Sequence, residues 1–280
     1  MEHQIRPKVF AVQGFAGNRT TIGQQALPQL ARKIAQALDR SDMVACRMSM
    51  ETVETLAHVL EASRTNLEAA ARMVAEGMNE TAPLVLLMAR CATAIATIPQ
   101  VLSRYPDAIL LWFDAHGDLN TPETSGTGYL GGMPLAAVLG LWESGYGHGL
   151  NSGQLCLIGA RDLDPAEERL IERHDILHLR DPSRIVQLDR LKELIQGRPV
   201  YVHLDLDVLE PGLIETEYSV PGGLTVDEVQ EILATVSWNG KFIGIEIAEF
   251  DSTEDGNISI AAQVIVQMLR GLHRADLAHR

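Results

Sequence analysis

Basic charge is what this chain has too little of: 23 Lys and Arg face 37 Asp and Glu, a formal net charge of -14. Nucleic-acid binding needs clustered cations to displace phosphate counterions, so that class of partner is argued against. No apolar run approaches the ~20 residues needed to span a bilayer. The polar opening Met1-Glu2-His3-Gln4-Ile5-Arg6 does not read as a signal peptide, and a cytoplasmic location is expected. Three cysteines, Cys46, Cys91 and Cys156, are an odd count and too few for a disulfide framework. Cys46 and Cys156 are expected as small buried hydrophobes.

What is present is an alternation of short apolar runs with segments of helical spacing. Strands are expected at Lys8 to Gln13, Met43 to Arg47, Leu84 to Ala89, Ala108 to Phe113, Gln154 to Ala160, Asp175 to Leu179, Pro199 to Leu206 and Phe242 to Ile247. Between them the spacing predicts helices over 24–39, 51–80 with a break near Ser63, 92–103, 135–142, 165–172, 187–196, 226–236 and 258–272. Leu84 to Ala89 is apolar without alternation, as in a strand covered on both faces. There is no repeat, low-complexity stretch or linker, so a single α/β domain over 1–280 is expected, with a mostly parallel sheet of about eight strands between helices. A closed eight-fold barrel is the rival, disfavoured by the long helix and weak strands of the first 80 residues.

In parallel α/β sheets the ligand crevice lies beyond the carboxyl ends of the strands. Four strand ends carry reactive side chains: Cys91; Asp114, His116 and Asp118; Asp205 and Asp207; and Glu249. Extended backbone would put Asp114, His116 and Asp118 on one side, and Asp205 and Asp207 on one face about 6 to 7 Å apart. Carboxylates gathered at a buried strand end repel one another unless a cation sits among them. Four Asp, one His and one Cys exceed what a mononuclear zinc site uses, and sulfur and imidazole argue against calcium. With bridging carboxylates the set suits two divalent metals that activate a hydroxide between them, hence a two-metal hydrolase. His203 and Glu246, deeper in their strands, are expected to support the site rather than ligate.

Asp114-Ala-His116-Gly-Asp118-Leu-Asn120, Asp205-Leu-Asp207-Val-Leu-Glu-Pro211, Val220-Pro-Gly-Gly223 and Ile158-Gly-Ala-Arg-Asp-Leu-Asp164-Pro165 together resemble the arginase/agmatinase (ureohydrolase) family over about residues 84 to 250. The resemblance implies a three-layer α/β/α fold, two Mn²⁺ ions, and hydrolysis of a guanidino compound to an amine and a urea. It makes Asp114 and Asp205 bridging ligands, gives His116 and Asp207 to one metal and Asp118 to the other, and puts Cys91 where the family has a histidine. Thiolate is softer than imidazole and favours zinc, so one site is expected to be weak or zinc-preferring. The resemblance also gives Asn120 and Thr127 to the substrate α-carboxylate, Asp164 to its α-amine and Glu249 to its guanidino group, and makes Asp118 and Glu249 catalytic.

Arginases have a proton-shuttling histidine at the position of Gly131, and restoring one is expected to favour plain arginine. Cys91 and Gly131, together with Asn120-Thr-Pro-Glu-Thr124, Gly128-Tyr-Leu-Gly-Gly-Met133 and Gly140-Leu-Trp-Glu-Ser-Gly145, resemble the branch of the family that hydrolyses Nω-hydroxy-L-arginine to ornithine and hydroxyurea. The partner implied is a small guanidino or hydroxyguanidino amino acid, with a homo-oligomer allowed. An arginase- or agmatinase-like enzyme and a non-catalytic binding or regulatory member are the alternatives.

Overall fold

The structure, a computed structural model, describes residues 8–20, 22–38, 43–46, 55–78, 82–180 and 185–272. The expectation for the Cys46 side chain and the start of the helix expected from residue 51 lie outside what is described. In chain order the first half comprises β1 (Lys8–Val12), α1 (Ile22–Ala37), β2 (Met43–Cys46), α2 (Leu56–Gly77), β3 (Leu84–Met88), α3 (Ala94–Arg104), β4 (Ile109–Phe113) and α4 (Pro134–Val138). The second half adds β5 (Leu155–Ile158), α5 (Pro165–Arg173), β6 (Leu177–Leu179), α6 (Ile185–Ile195), β7 (Pro199–Asp205), α7 (Val226–Asn239), β8 (Lys241–Ala248) and α8 (Asp255–Leu269).

The eight strands form one open sheet in the order β2-β1-β3-β8-β7-β4-β5-β6, every neighbouring pair parallel. Its two free edges exclude the closed barrel. The apolar strands are covered on both faces, and their alternation splits each between two cores. Ile109, Leu111 and Phe113 of β4 join the core beneath α1, α7 and α8, whereas Leu110 and Trp112 join the one beneath α2 and α3. Helices on both sides of the sheet complete three layers.

Two helix expectations need correction. α2 runs unbroken through Ser63, because its hydroxyl donates to Val59 O at 2.7 Å and does not compete for the helix backbone. α4 stops at Val138 rather than reaching Trp142, where the chain turns through Gly140 at φ 76°. Among the described residues no helix is long and apolar enough to cross a membrane.

The sheet order gathers the chemistry. β3, β8, β7 and β4 are consecutive central strands, and they are the four whose ends carry Cys91, Glu249, Asp205 with Asp207, and Asp114 with His116.

Candidate metal centre

Local turns set the geometry, and they differ from the extended backbone read from the sequence. The Asp114 carboxylate accepts the His116 amide at 2.7 Å, and Asp205 accepts the Asp207 amide at 2.8 Å, each reaching its own backbone two residues on. The chain therefore curls after each strand: Asp207 lies in a 3₁₀ turn over Leu206–Val208, and Asp118 takes a left-handed φ of 52°. Asp207 in turn accepts the Ala115 amide at 3.0 Å, which ties the ends of β7 and β4 together. Convergence comes from these turns and not from alternation along one strand.

Among the described residues, three sets of side chains bring potential ligand atoms within 4.8 Å of one another: Asp114, His116 and Asp207; Cys91, Asp205 and Glu249; and Cys91, Asp114 and His203. In the first, His116 Nδ1 lies 3.3 Å from Asp114 and 3.1 Å from Asp207. Burial draws the His116 pKa down, but its hydrogen bonds to Asp114 and Asp207 push it up to about 12. Burial raises Asp114 too, yet His116 outweighs it and holds this carboxyl below its ordinary range. Asp205 and Asp118 go the other way: burial, then neighbouring carboxylates, push both well up. Asp118 lines the same cleft without joining any of the three sets, and its buried Oδ2 has no partner among the described residues. A buried carboxyl oxygen left unpaired, in a group whose ionisation burial and neighbouring carboxylates oppose, fits a site built for divalent cations.

Beneath the carboxylates, the Cys91 sulfur lies 3.0 Å from Asp205 Oδ2 and 3.1 Å from His203 Nε2. Burial and then Asp205 and its carboxylate neighbours push its pKa well up, so without a cation it is a thiol. His203 stacks on Trp112 with ring centroids 3.5 Å apart, and its Nδ1 sits 2.7 Å from Glu246. Glu246 also accepts from Thr97 and Tyr201. His203 thus adjoins the potential ligand Cys91, shares a potential ligand set with it, and is itself oriented by Glu246.

Glu249, at a left-handed φ of 69°, accepts the Cys91 amide at 2.9 Å and pairs with Arg90. Arg90 was not singled out in the sequence. Fully buried, it also reaches Glu217 at 2.6 Å and Thr20 at 3.1 Å. Its one signal was its place beside Cys91 at a strand end. Arg161 was missed too: its guanidinium donates to the carbonyls of Gly159, Asp207, Val208, Val220 and Pro221, joining the Val220-Pro-Gly-Gly223 loop to the turn that carries Asp207.

The residues expected to bind substrate line one cleft of about 190 Å³ with the metal-capable groups. Asn120 donates to Asp164 at 2.8 Å, and Asp164 is the N-cap of α5 in a capping box with Glu167. Thr127 Oγ1 accepts the Tyr129 amide at 3.2 Å. At Gly131 a Cβ would meet the Tyr129 ring at 2.3 Å and its hydroxyl at 2.9 Å, so Tyr129 occupies the space and a histidine would have to displace it.

The fold and this donor set define a class before any individual relative is considered. The arginase-family model matches residues 16–272, and the chain belongs to that family as a ureohydrolase-type enzyme. Among curated relatives, the N(omega)-hydroxy-L-arginine amidinohydrolase of Streptomyces lavendulae is 36% identical over 76% of this chain and 73% of its own length. An arginase of Schizosaccharomyces pombe is 32% identical over 66% of this chain and 61% of its own. The crystal structure of the Entamoeba histolytica arginase superposes with a TM-score of 0.80, covering 96% of this chain and 99% of that one at 20% identity, which bears on fold alone.

Proposed function

We propose that this enzyme hydrolyses Nω-hydroxy-L-arginine to ornithine and hydroxyurea. The observation that carries the reading is the donor set at the ends of β3, β8, β7 and β4, where Cys91 stands with Asp114, His116, Asp118, Asp205 and Asp207. These six side chains would hold two divalent ions, manganese foremost, with the Cys91 site the softer. Bound there, such ions supply Lewis acidity and lower the pKa of water.

The chain's own groups do the rest. Asn120 and Thr127 face the substrate α-carboxylate and Asp164 its α-amine, which favours an amino acid over agmatine. A water oxygen adds to the amidino carbon, the bond from that carbon to the ornithine nitrogen breaks, and Asp118 passes a proton to the departing nitrogen. Glu249 orients the amidino group by hydrogen bonding.

Arg90 supports the finer choice of substrate. Its guanidinium already sits on Glu249, so much of the negative charge that would attract a guanidinium cation is matched within the protein. An N-hydroxyguanidine is less basic than a guanidine and is more readily presented neutral. The 36% identity to the hydroxyarginine amidinohydrolase of S. lavendulae supports the same choice.

The test is turnover by manganese-reconstituted protein on hydroxyarginine, arginine, agmatine and guanidinobutyrate, with hydroxyurea, urea and bound metal quantified. Hydroxyurea release with the highest kcat/KM is expected. Preference for plain arginine would move the reading to an ordinary arginase. Less than one metal per chain with no product from any substrate would favour a non-catalytic member.

A further inference from the structure

Tyr129 is not among the residues expected to bind metal or substrate, yet it lines the cleft, and its hydroxyl is buried without a partner among the described residues. Its ring is fixed from several sides. The Arg19 guanidinium lies over it at 4.7 Å from the centroid, and Tyr218 packs against it at 5.5 Å. The absence of a side chain at Gly131 leaves room for it. The backbone at Gly131 is not left-handed, so conformation alone does not call for glycine there, and the phenol does. A buried unpaired hydroxyl costs free energy unless a ligand completes it.

The geometry points to Tyr129 as a specificity-determining residue whose hydroxyl donates a hydrogen bond to the N-hydroxyl oxygen of the substrate. This rests on the hydroxyguanidine reading given above. A phenol is protonated at neutral pH, and burial followed by the charge of Glu249 keeps it so. A guanidinium offers only N–H donors and leaves that O–H unmatched, whereas the hydroxyl of an N-hydroxyguanidine supplies an acceptor. Sites built to bond a substrate hydroxyl discriminate against the analogue that lacks it, because their own polar group is then left unpaired.

The test compares wild type, Tyr129→Phe, Gly131→Ala and the double variant, all manganese-loaded, on hydroxyarginine and arginine. kcat and KM are read separately, equilibrium binding of each amino acid is followed by calorimetry, and Tm serves as a control. Tyr129→Phe keeps the ring and should lower kcat/KM for hydroxyarginine about 5- to 10-fold, the scale of one neutral hydrogen bond. Turnover of arginine should change by less than about twofold. Gly131→Ala should imitate it by pushing the ring aside, and the double variant should add little, since both remove one interaction. An equal loss on both substrates, or none on either, overturns the assignment while the proposed reaction stands. If wild type turns over neither substrate, the reaction fails, and calorimetry still decides on Tyr129: unchanged binding ratios in Tyr129→Phe, or no binding of either amino acid, overturn it.

Discussion

Cys91 is the residue on which the proposed metal chemistry turns. Its sulfur sits between a carboxylate oxygen of Asp205 and a ring nitrogen of His203, and its burial favours the thiol. A ligand must shed its proton to bind a cation, so metal uptake here should release protons. Apparent Mn²⁺ affinity should therefore rise from about pH 6 to about pH 8; titration at several pH values checks this, and a flat profile would remove Cys91 and His116 from the ligand set. Imidazole suits manganese better than a soft thiolate does. Cys91→His should accordingly increase manganese content per chain by elemental analysis, and unchanged content would exclude Cys91 from the site.

At the scale of elements, two supports invite separation by mutation. Asp164 caps α5 and also receives Asn120 in the cleft. Asparagine is as good an N-cap as aspartate, whereas alanine loses the cap at about 1 kcal/mol. Asp164→Asn should raise KM for an amino-acid substrate with little change in Tm, and Asp164→Ala should raise KM and lower Tm together. If both variants bind substrate like wild type, Asp164 is a cap only. The second support is Glu246 on β8, which holds His203 while bonding Thr97 and Tyr201. Leaving a buried hydrogen-bonding group unpaired costs about 1 to 3 kcal/mol, so Glu246→Ala should lower stability to denaturant by at least that scale with metal absent.

For the whole molecule, the metal-free site makes stability depend on pH. Folding raises the pKa of His116 from about 6.5 to about 12, so its contribution is complete below the lower value and lost as pH climbs through the upper one. Asp118 and Asp205 are also raised, so the folded chain holds protons that the unfolded chain has released, and stability again falls with rising pH; among the site's carboxylates Asp114 opposes, and outside it so does His178, lowered by burial. Chelated protein should then show a higher Tm near pH 5.5 than near pH 7.5, and manganese should raise Tm more at the higher pH. Scanning calorimetry with and without chelator measures both, and the opposite order would mean that groups outside the site govern stability.

Local chemistry determined much of this protein from sequence alone. The alternation of apolar runs with helical spacing specified a parallel α/β sheet, because strand and helix periods are written into neighbouring residues. Asp114, His116, Asp118, Asp205, Asp207, Cys91 and Glu249 stood out because each closes a strand. Tertiary structure decided the rest. It placed β8 and β7 between β3 and β4 and so gathered four strand ends far apart in the chain. It set Arg90 on Glu249, and it filled the space beside Gly131 with the ring of Tyr129. Spacing along a chain reports which face a residue shares with its neighbours; it does not report which distant side chain fills a void or matches a charge, because packing sets those contacts.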